Sequence, residues 1–341
     1  MVKAIGLVSG GLDSTLALMV MKEHGVEVDA VNFYTGFCVA EHRRKMVRLT
    51  GRNPARNEAL RAGADAGVPI QFVDVSADYL PVVAHPKYGY GSAMNPCIDC
   101  RIFMLRKARE RMSETGAKFV FTGEVLGQRP MSQRMNQLKL IEKESGLKGY
   151  LLRPLSAKLL DPTVPEEMGW VDRENLYAIK GRGRKEQVRL AAEFGIADYP
   201  QPAGGCCFLT DKSYARRLRD LFEHKGKDSV TGEDIILLKV GRHFRLSETA
   251  KAIVGRNEEE NGFLARYAEK RRTFRALGFE GPLTLIEGEA DGDDRLLAAQ
   301  ITARYSDGRG QDAVRVETRS SAGSAVLEVG PIGQELEEMR I

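Results

Sequence analysis

The sequence has 341 residues, of which 43% are hydrophobic and 29% charged, and its formal net charge is +4. These values exclude a disordered or fibrous chain and allow two domains with buried cores. No apolar run approaches the length of a membrane span and the N-terminus lacks a secretory signal, so we expect a cytoplasmic protein without a membrane partner.

The first 200 residues alternate short apolar runs with segments of helical periodicity. The apolar runs predict strands at residues 4–8, 28–33, 70–75, 119–122 and 150–152. The periodic segments predict helices at residues 15–24, 56–66, 101–113 and 184–194. Alternation of this kind indicates an α/β fold, with a doubly wound, mostly parallel sheet that helices cover on both faces.

The pattern changes after residues 198–205, where two prolines and two glycines interrupt regular structure. Beyond them the sequence predicts short strands and few helices, with strands at residues 235–240, 244–246, 252–254, 283–286, 297–305, 313–318 and 325–329. We therefore predict three parts: an α/β domain over 1–205, a smaller strand-rich α+β domain over 206–334, and an acidic, mobile tail over 335–341.

Basic residues are concentrated in the first 200 residues, whose net charge is +6 against −2 for residues 201–341. They form two clusters, His42, Arg43, Arg44, Lys45, Arg48, Arg52 and Arg56, and Arg101, Arg106, Lys107, Arg109 and Arg111. Such clusters are typical of a surface that binds a polyanion, and equally of a solvated helical face.

The segment LVSGGLDST, residues 7–15, connects the first predicted strand to the first predicted helix. At this edge of a parallel sheet, the unpaired N–H groups and the dipole of the helix favour an anion. The segment offers two glycines that let a phosphate approach the backbone and three hydroxyl donors, namely Gly10, Gly11, Ser9, Ser14 and Thr15. Its residue order differs from that of Walker and dinucleotide loops.

Asp13 distinguishes this segment from an ordinary phosphate loop. A carboxylate beside a polyphosphate would repel it, so we predict that Asp13 contacts Mg²⁺. A simple helix N-terminus would explain Asp13 but not the paired glycines.

The residues SGGLDS at 9–14, directly after the first strand, resemble the PP-loop of the ATP pyrophosphatases, also called adenine nucleotide alpha hydrolases. The resemblance implies that ATP is cleaved between its α and β phosphates, that a substrate oxygen is adenylated, and that pyrophosphate is released. The family includes amidating ligases and enzymes that put sulfur into tRNA.

Further residues are assigned to the nucleotide site, some by their position at the ends of strands and some by similarity to segments of this family. Asn32 and Phe33 end the second predicted strand and are placed to contact adenine, although core packing explains Phe33 equally well. Gly123 lies where the resembling enzymes have a glycine-containing loop near the nucleotide. Arg153 and Lys185 lie in segments similar to family segments and would stabilise charge on the phosphates, whereas a solvated surface position is the alternative for Lys185.

The sequence has five cysteines, an odd number that argues against a disulfide framework. Cys97 and Cys100 precede a predicted helix, and Cys206 lies in the glycine-rich segment 204–208. Three thiolates with an open coordination position suit a 4Fe-4S cluster. Zinc and buried free thiols are the alternatives.

The arrangement of the cysteines resembles the tRNA thiouridine synthetases of the PP-loop group, including the 2-thiouridylases. The carrying segments are NPCIDC at residues 95–100 and GCCF at residues 205–208. The resemblance implies that Asp13, Cys97, Cys100 and Cys206 are catalytic and that tRNA is the substrate. A Cys-Phe alignment selects Cys207 as the third ligand instead.

Several alternatives follow from this assignment. The sulfur would come from a donor protein or from free sulfide, and a catalytic persulfide could replace the cluster. A homodimer is possible. The rival functions are a PP-loop sulfurtransferase or ligase that acts on a small molecule, and a non-catalytic adaptor that binds nucleotide and metal.

The C-terminal part resembles, more loosely, an RNA-binding module of ribosome-associated quality-control proteins, through residues 240–246 and 253–261. Its local basic groups, Arg216, Arg217, Arg219, Lys270, Arg271 and Arg272, would contact phosphates. The net charge of −2 argues against a generally basic RNA surface and leaves a sulfur-donor protein as the alternative partner.

Overall fold

The computed structural model describes residues 1–49, 56–200 and 207–341. The chain divides into two compact units, Met1–Phe37 with Ala55–Cys206, and Cys38–Pro54 with Cys207–Ile341. Within the described ranges, no helix is long and apolar enough to cross a membrane.

Five strands form the sheet of the first unit: β1 Lys3–Leu7, β2 Glu27–Tyr34, β3 Ile70–Asp74, β4 Phe119–Thr122 and β5 Leu151–Leu152. The helices up to residue 200 are α1 Leu12–Glu23, α2 Val39–Leu49, α3 Glu58–Ala66, α4 Ser76–Ala84, α5 Cys97–Thr115, α6 Met135–Glu144, α7 Val164–Glu167 and α8 Lys185–Glu193. All of them except α2 belong to the first unit.

The first sheet is parallel throughout, in the order β3-β2-β1-β4-β5. The predicted α/β fold with a doubly wound sheet is therefore confirmed. Because the strand order reverses between β1 and β4, the crevice beyond the carboxyl ends of these two strands is where such folds bind ligands.

Strand β1 is buried on both faces, which explains its apolar sequence. Ala4 packs on one face in a cluster with Leu18 and Met21 of α1. Ile5 packs on the other face in a cluster with Leu105 of α5. The sequence did not reveal α4, because Pro81 lies inside this helix and interrupts the pattern expected of one.

The second unit contains six strands: β6 Arg242–Arg245, β7 Ala250–Val254, β8 Arg272–Ala276, β9 Thr284–Gly288, β10 Val314–Ser320 and β11 Gly323–Val329. They form an antiparallel sheet in the order β11-β10-β8-β9-β7-β6. Its further helices are α9 Lys212–Lys225, α10 Gly232–Leu237, α11 Glu258–Ala265 and α12 Gly292–Arg304. The predicted second domain of mixed α and β structure is confirmed.

Two of the predicted strands in this unit are wrong. Residues 235–240 overlap α10, and residues 297–305 overlap α12. Each helix begins with a capping box that its polar N-terminal residues form, Thr231 with Asp234 and Asp291 with Asp294. Short apolar runs fit a buried helix as well as a strand, and the caps decide between them.

Helix α2 packs in the second unit, although its sequence lies inside the range predicted for the first domain. Met46 of α2 joins a buried cluster with Leu237, Phe263 and Leu285. The second long segment of this unit starts at Cys207, two residues after the predicted boundary at residue 205, and residues 38–49 belong to the same unit.

The C-terminal segment is ordered against the second sheet, so the expectation of a mobile tail is wrong. Leu336 is buried in a cluster with Phe244. The N–H of Arg245 donates to the carbonyl of Met339 at 2.8 Å, and the N–H of Ile341 donates to the carbonyl of His243 at 3.0 Å. Backbone pairing and an apolar anchor therefore hold residues 335–341 in place.

Two histidines make the stability of the second unit dependent on pH. Burial and the positive charges of Lys239 and Lys45 lower the pKa of His42 to about 4, although the nearby Glu260 acts in the opposite direction. Burial, together with Lys251 and Arg217, also lowers the pKa of His243 well below its usual value.

We predict that the free energy of unfolding of the second unit is greatest above pH 6.5 and falls as the pH is lowered towards 4. Over that range the unfolded chain binds protons that the folded chain excludes, at up to about 1.4 kcal/mol per pH unit for each histidine. Hydrogen exchange of the β7 amides as a function of pH, corrected for the intrinsic exchange rate, would measure this free energy of unfolding. A His42→Gln variant with an unchanged pH dependence would contradict the part assigned to His42.

Candidate functional site

The segment between β1 and α1 forms a compact loop whose hydroxyl groups make hydrogen bonds within the loop. The Ser14 hydroxyl donates to the carbonyl of Gly11 at 2.9 Å, and the Thr15 hydroxyl donates to the same carbonyl at 3.1 Å. The Ser9 and Ser14 hydroxyl oxygens are 3.2 Å apart, and the N–H of Gly11 donates to Ser9 at 3.4 Å. Ser9 is exposed and Gly10 is buried, so the loop presents its polar rim to solvent.

Gly10 occupies a position that only glycine fits. Its φ is +82°, and a Cβ there would lie 2.4 Å from the backbone nitrogen of Ala59. The side chain of Arg61, which is 5% exposed, approaches the Gly10 carbonyl at 3.5 Å. The first residues of α3 therefore pack directly against the backbone of the loop at Gly10.

Asp13 has one satisfied and one unsatisfied carboxylate oxygen. Its Oδ2 accepts a hydrogen bond from the Gln128 side chain at 3.0 Å. Its Oδ1 is buried and has no hydrogen-bond partner in the described part of the chain. A buried carboxylate oxygen without a partner is costly, and a cation would satisfy it.

Gly123, directly after β4, touches the first turn of α1. A Cβ at this position would lie 2.5 Å from the carbonyl carbon and oxygen of Asp13 and from the nitrogen of Ser14. The loops that follow β1 and β4 are therefore in backbone contact at the point where the strand order reverses.

A buried chain of charges continues from this contact. Glu124 and Arg153 are each 3% exposed, and the Arg153 Nε donates to Glu124 Oε2 at 3.1 Å. A second nitrogen of Arg153 donates to Glu142 at 3.1 Å. On its other side, Glu124 Oε1 lies 3.4 Å from the Nε of Arg101, in the first turn of α5. Two nitrogens of Arg153 therefore bind carboxylates, while its Nη2 is buried without a hydrogen-bond partner among the described residues.

The two cysteines of α5 lie in the same first turn. Cys97 and Cys100 are both half-buried, and neither is in a disulfide. The Asn95 side chain donates to the Cys97 sulfur at 3.1 Å and approaches the Met131 sulfur at 3.4 Å. The Asp99 carboxylate accepts the N–H groups of Lys87 and Tyr88, both at 3.0 Å, and so fixes the loop before the helix.

The segment after β4 therefore reaches both predicted parts of the site. Gly123 and Gln128 contact Asp13, whereas Met131 contacts Asn95, which in turn contacts Cys97. The structure brings the loop of residues 9–15 and the Cys97–Cys100 pair to one segment of the first unit.

The remaining predicted residues fall into different environments. The Asn32 side chain donates to the carbonyl of Val8 at 2.7 Å and so holds the start of the loop. Phe33 packs against the apolar cluster between α5 and the sheet. Lys185 is exposed at the start of α8. Cys206 lies outside the described residues, and among those described no group of three or more His, Cys, Asp or Glu side chains is placed to hold a metal.

Two family models each match a part of the chain. Residues 2–158 match the family described as thiamine biosynthesis protein (ThiI). The first unit contains a ThiI-type PP-loop domain. Residues 241–338 match the family described as NFACT protein RNA binding domain, so the second unit contains a domain of that type.

Individual relatives are tRNA-modifying proteins. The chain is 26% identical over 231 residues to the tRNA-specific 2-thiouridylase MnmA of Caldicellulosiruptor saccharolyticus, which covers 63% of this chain and 58% of the relative. It is 28% identical over 153 residues to the probable tRNA sulfurtransferase of Thermococcus kodakarensis, and this alignment covers 45% of this chain and 36% of the relative. The chain thus spans less than two thirds of the length of these relatives.

A solved structure is also similar, the crystal structure of a 4-thiouridine synthetase–RNA complex with bound ATP. It shares 25% identity, covers 57% of this chain and 41% of that chain, and has a TM-score of 0.34.

Two features of the PP-loop domain escaped the sequence analysis. Glu124 was not selected as a functional residue, because nothing local marks a carboxylate that pairs with Arg153, 29 positions away. The Asn95 contact with Cys97 was also missed, although the sequence placed both residues in one motif. An amide two positions before a cysteine at a helix start is a signal that would have indicated this contact.

We predict that Gly123→Ala destabilises the first unit by about 1–3 kcal/mol, because the new methyl group would overlap the backbone of Asp13 and Ser14. ATP binding by the loop should weaken in parallel. Urea unfolding followed by the fluorescence of Trp170, and nucleotide titration, would measure both effects. Gly183→Ala is the matched control, since a Cβ at residue 183 meets no atom of the described residues within 4 Å. Equal stability of the two variants would contradict the close approach.

Proposed function

We propose that this protein is an ATP-dependent tRNA sulfurtransferase, which adenylates a uridine carbonyl oxygen and replaces it with sulfur in the cytoplasm. The observation that carries the proposal is the segment after β4, which contacts Asp13 through Gln128 and Asn95 through Met131. One segment thus joins a loop suited to ATP with a pair of thiols suited to sulfur transfer. The PP-loop domain and the thiouridylase relatives support the same reaction.

The loop of residues 9–15 would bind the phosphates of ATP through its backbone N–H groups and the Ser9 hydroxyl. Ser14 and Thr15, whose hydroxyls donate to the Gly11 carbonyl, would hold the loop in its binding conformation. The uridine carbonyl oxygen attacks the α phosphorus, and pyrophosphate leaves. A sulfur nucleophile then attacks the carbon that carried this oxygen, and AMP departs with the oxygen. Asn95 orients the Cys97 thiol for this second step by its hydrogen bond to the sulfur.

Asp13 is the residue that would hold Mg²⁺. Its buried Oδ1, which has no hydrogen-bond partner among the residues that the structure describes, fits a hard cation, and Gln128 fixes the other oxygen. When bound, the ion would supply positive charge beside the phosphates. Asn32 supports the loop through Val8, and Phe33, Gly123 and Lys185 complete the proposed nucleotide site.

The proposed ligands of a 4Fe-4S cluster are Cys97, Cys100 and Cys206, with Cys207 as the alternative third ligand. Two half-buried thiols on one helical turn fit this donor set. When bound, the cluster would supply an iron with an open position for an additional sulfide. Iron, sulfide and zinc analysis of protein purified without oxygen distinguishes the cluster from a zinc site or from a catalytic persulfide.

The second unit would bind the tRNA through one face of its antiparallel sheet. Helix α12 packs on the sheet face that carries Phe274 and Ile286. On the opposite face, where Thr273 pairs with Leu285, the sheet is covered by the cluster that includes Met46 of α2. Helix α2 therefore lies on the face that α12 leaves uncovered.

Exposed arginines follow this second face. Arg275, Arg315 and Arg319 are exposed on β8 and β10, and their register places them on the same side of the sheet as Thr273. Arg43 and Arg48 of α2 are also exposed. With α2 included, the net charge of the second unit is +2 rather than the −2 of residues 201–341, so charge no longer argues against an RNA surface.

We predict that the protein, supplied with ATP, Mg²⁺ and sulfide under anaerobic conditions, forms thiouridine in a tRNA transcript and releases pyrophosphate. Cys97→Ala and Cys100→Ala should lose thiolation and retain pyrophosphate release, because they leave the loop of residues 9–15 intact. Asp13→Asn should lose both. Comparing Cys206→Ala with Cys207→Ala identifies the third cysteine. Nucleoside mass spectrometry and a pyrophosphate assay provide the readouts.

Three results would contradict the proposed reaction. Cleavage of ATP to ADP and phosphate would exclude adenylation. Thiolation or amidation of a small molecule without RNA would favour the small-molecule enzyme. Binding of ATP without turnover would favour the adaptor.

We predict that Arg275→Gln and Arg315→Gln each weaken tRNA binding and reduce the slope of log K against log salt by about 1, because each removes one phosphate contact. Fluorescence anisotropy across a salt series would measure the slope. The matched control is Arg304→Gln, an exposed arginine of α12 on the other side of the sheet. A control that lowers the slope equally would place the RNA elsewhere.

A further inference from the structure

The second unit contains a pair of cysteines that are well separated in sequence. Cys38 and Cys207 face each other in an isolated antiparallel β-bridge. Both are half-buried, and neither is in a disulfide. The role proposed for Cys97, Cys100 and Cys206 does not use Cys38.

The backbone spacing of this pair suits a covalent bond. Opposed residues of antiparallel strands have Cα atoms about 4.5–5.5 Å apart. Disulfide-bonded cysteines have Cα atoms about 4.4–6.8 Å apart. The bridge therefore already holds the two residues at a distance that a disulfide spans without movement of the chain.

Hydrogen bonds keep both backbones in this position. The Cys38 carbonyl accepts the N–H of His42 at 3.2 Å, in the first turn of α2. The Cys207 carbonyl accepts the N–H of Thr210 at 3.1 Å and the Thr210 hydroxyl at 2.7 Å. From this geometry we propose that Cys38 and Cys207 are a redox-active pair that forms a reversible disulfide.

The surroundings favour an anionic oxidant. The ammonium of Lys239 lies 5.5 Å from the centre of the Phe208 ring, next to Cys207. Burial and Lys45 lower the pKa of Lys239 to about 8, while Cys38 and Cys207 act in the opposite direction, which places its charge within range of both thiols. A lysine ammonium near the pair attracts a negatively charged disulfide such as glutathione disulfide.

The position of the pair gives the bond a structural effect. The chain passes from the first unit to the second between Phe37 and Cys38, and again between Cys206 and Cys207. A Cys38–Cys207 disulfide would tie together the two residues with which the chain enters the second unit. It would also fix the backbone next to Cys206, without requiring that the protein thiolates tRNA.

The reaction is a two-step exchange with a disulfide of the glutathione type. One cysteine sulfur attacks the oxidant, forms a mixed disulfide and releases one thiol. The second cysteine attacks the protein sulfur of this mixed disulfide and releases the second thiol. Two protein thiols are oxidised, one disulfide is reduced to two thiols, and the protein loses two hydrogen atoms.

Trypsin makes the pair directly observable. Cleavage after Lys and Arg places Cys38 in the peptide 23–43, Cys206 and Cys207 in the peptide 190–212, and Cys97 and Cys100 in the peptide 88–101. The full-length protein is treated with glutathione disulfide, free thiols are alkylated, and the peptides are analysed without reduction.

We expect peptides 23–43 and 190–212 to be joined in the unmodified protein and in Cys206→Ala, and to separate after reduction. The link should be lost in Cys207→Ala, the matched control. The double variant Cys38→Ser/Cys206→Ala should instead retain glutathione on peptide 190–212, whose remaining cysteine is Cys207, which shows that Cys207 is reactive if the pair is broken. Circular dichroism checks that each variant is folded.

Three outcomes would overturn the proposal. They are a link that persists in Cys207→Ala, a link from peptide 190–212 to peptide 88–101 with Cys38 still alkylated, and the absence of any link in the folded protein. None of these outcomes depends on the thiolation assay, so failure of the pair and failure of the proposed function are distinguishable.

Discussion

The backbone contact between Gly123 and the first turn of α1 is the constraint on which the candidate site depends. It leaves no room for a Cβ at residue 123, because the carbonyl of Asp13 and the nitrogen of Ser14 lie 2.5 Å from where that atom would be. Close approach of two loops at the reversal of strand order is how a doubly wound sheet forms a ligand crevice. The absence of a side chain at Gly123 therefore fixes the spacing of the two loops, and this spacing in turn fixes the position of Asp13.

The buried charges extend this constraint to the thiols. Glu124 lies between Arg153 and Arg101, and Glu124 and Arg153 are both buried. Removing one partner of such a group would strand a charge in the interior, which costs about 3–5 kcal/mol. The first turn of α5, with Cys97 and Cys100, is thus held in register with the loop after β4 by electrostatics as well as by packing.

What the sequence could predict was local. The loop of residues 9–15 and the first turn of α5 are contiguous motifs, and the strands β1 to β5 are apolar runs between helices. What it could not predict depends on contacts between distant residues. The Glu124–Arg153 pair and the packing of Met46 against Leu237 leave no trace in either neighbourhood, and a short apolar run such as residues 235–240 suits helix or strand until a cap is recognised.

The insertion of α2 means that the two units are interleaved in the polypeptide. A fragment that ends before Cys207 would carry α2 without Leu237, Phe263 and Leu285, and Met46 would be left exposed on an amphipathic helix. A fragment that begins at Cys207 would lack α2, and with it the part of the buried cluster that Met46 fills. Recombination at a single junction cannot exchange the second unit between proteins, so gain or loss of this module in evolution requires two coordinated breakpoints.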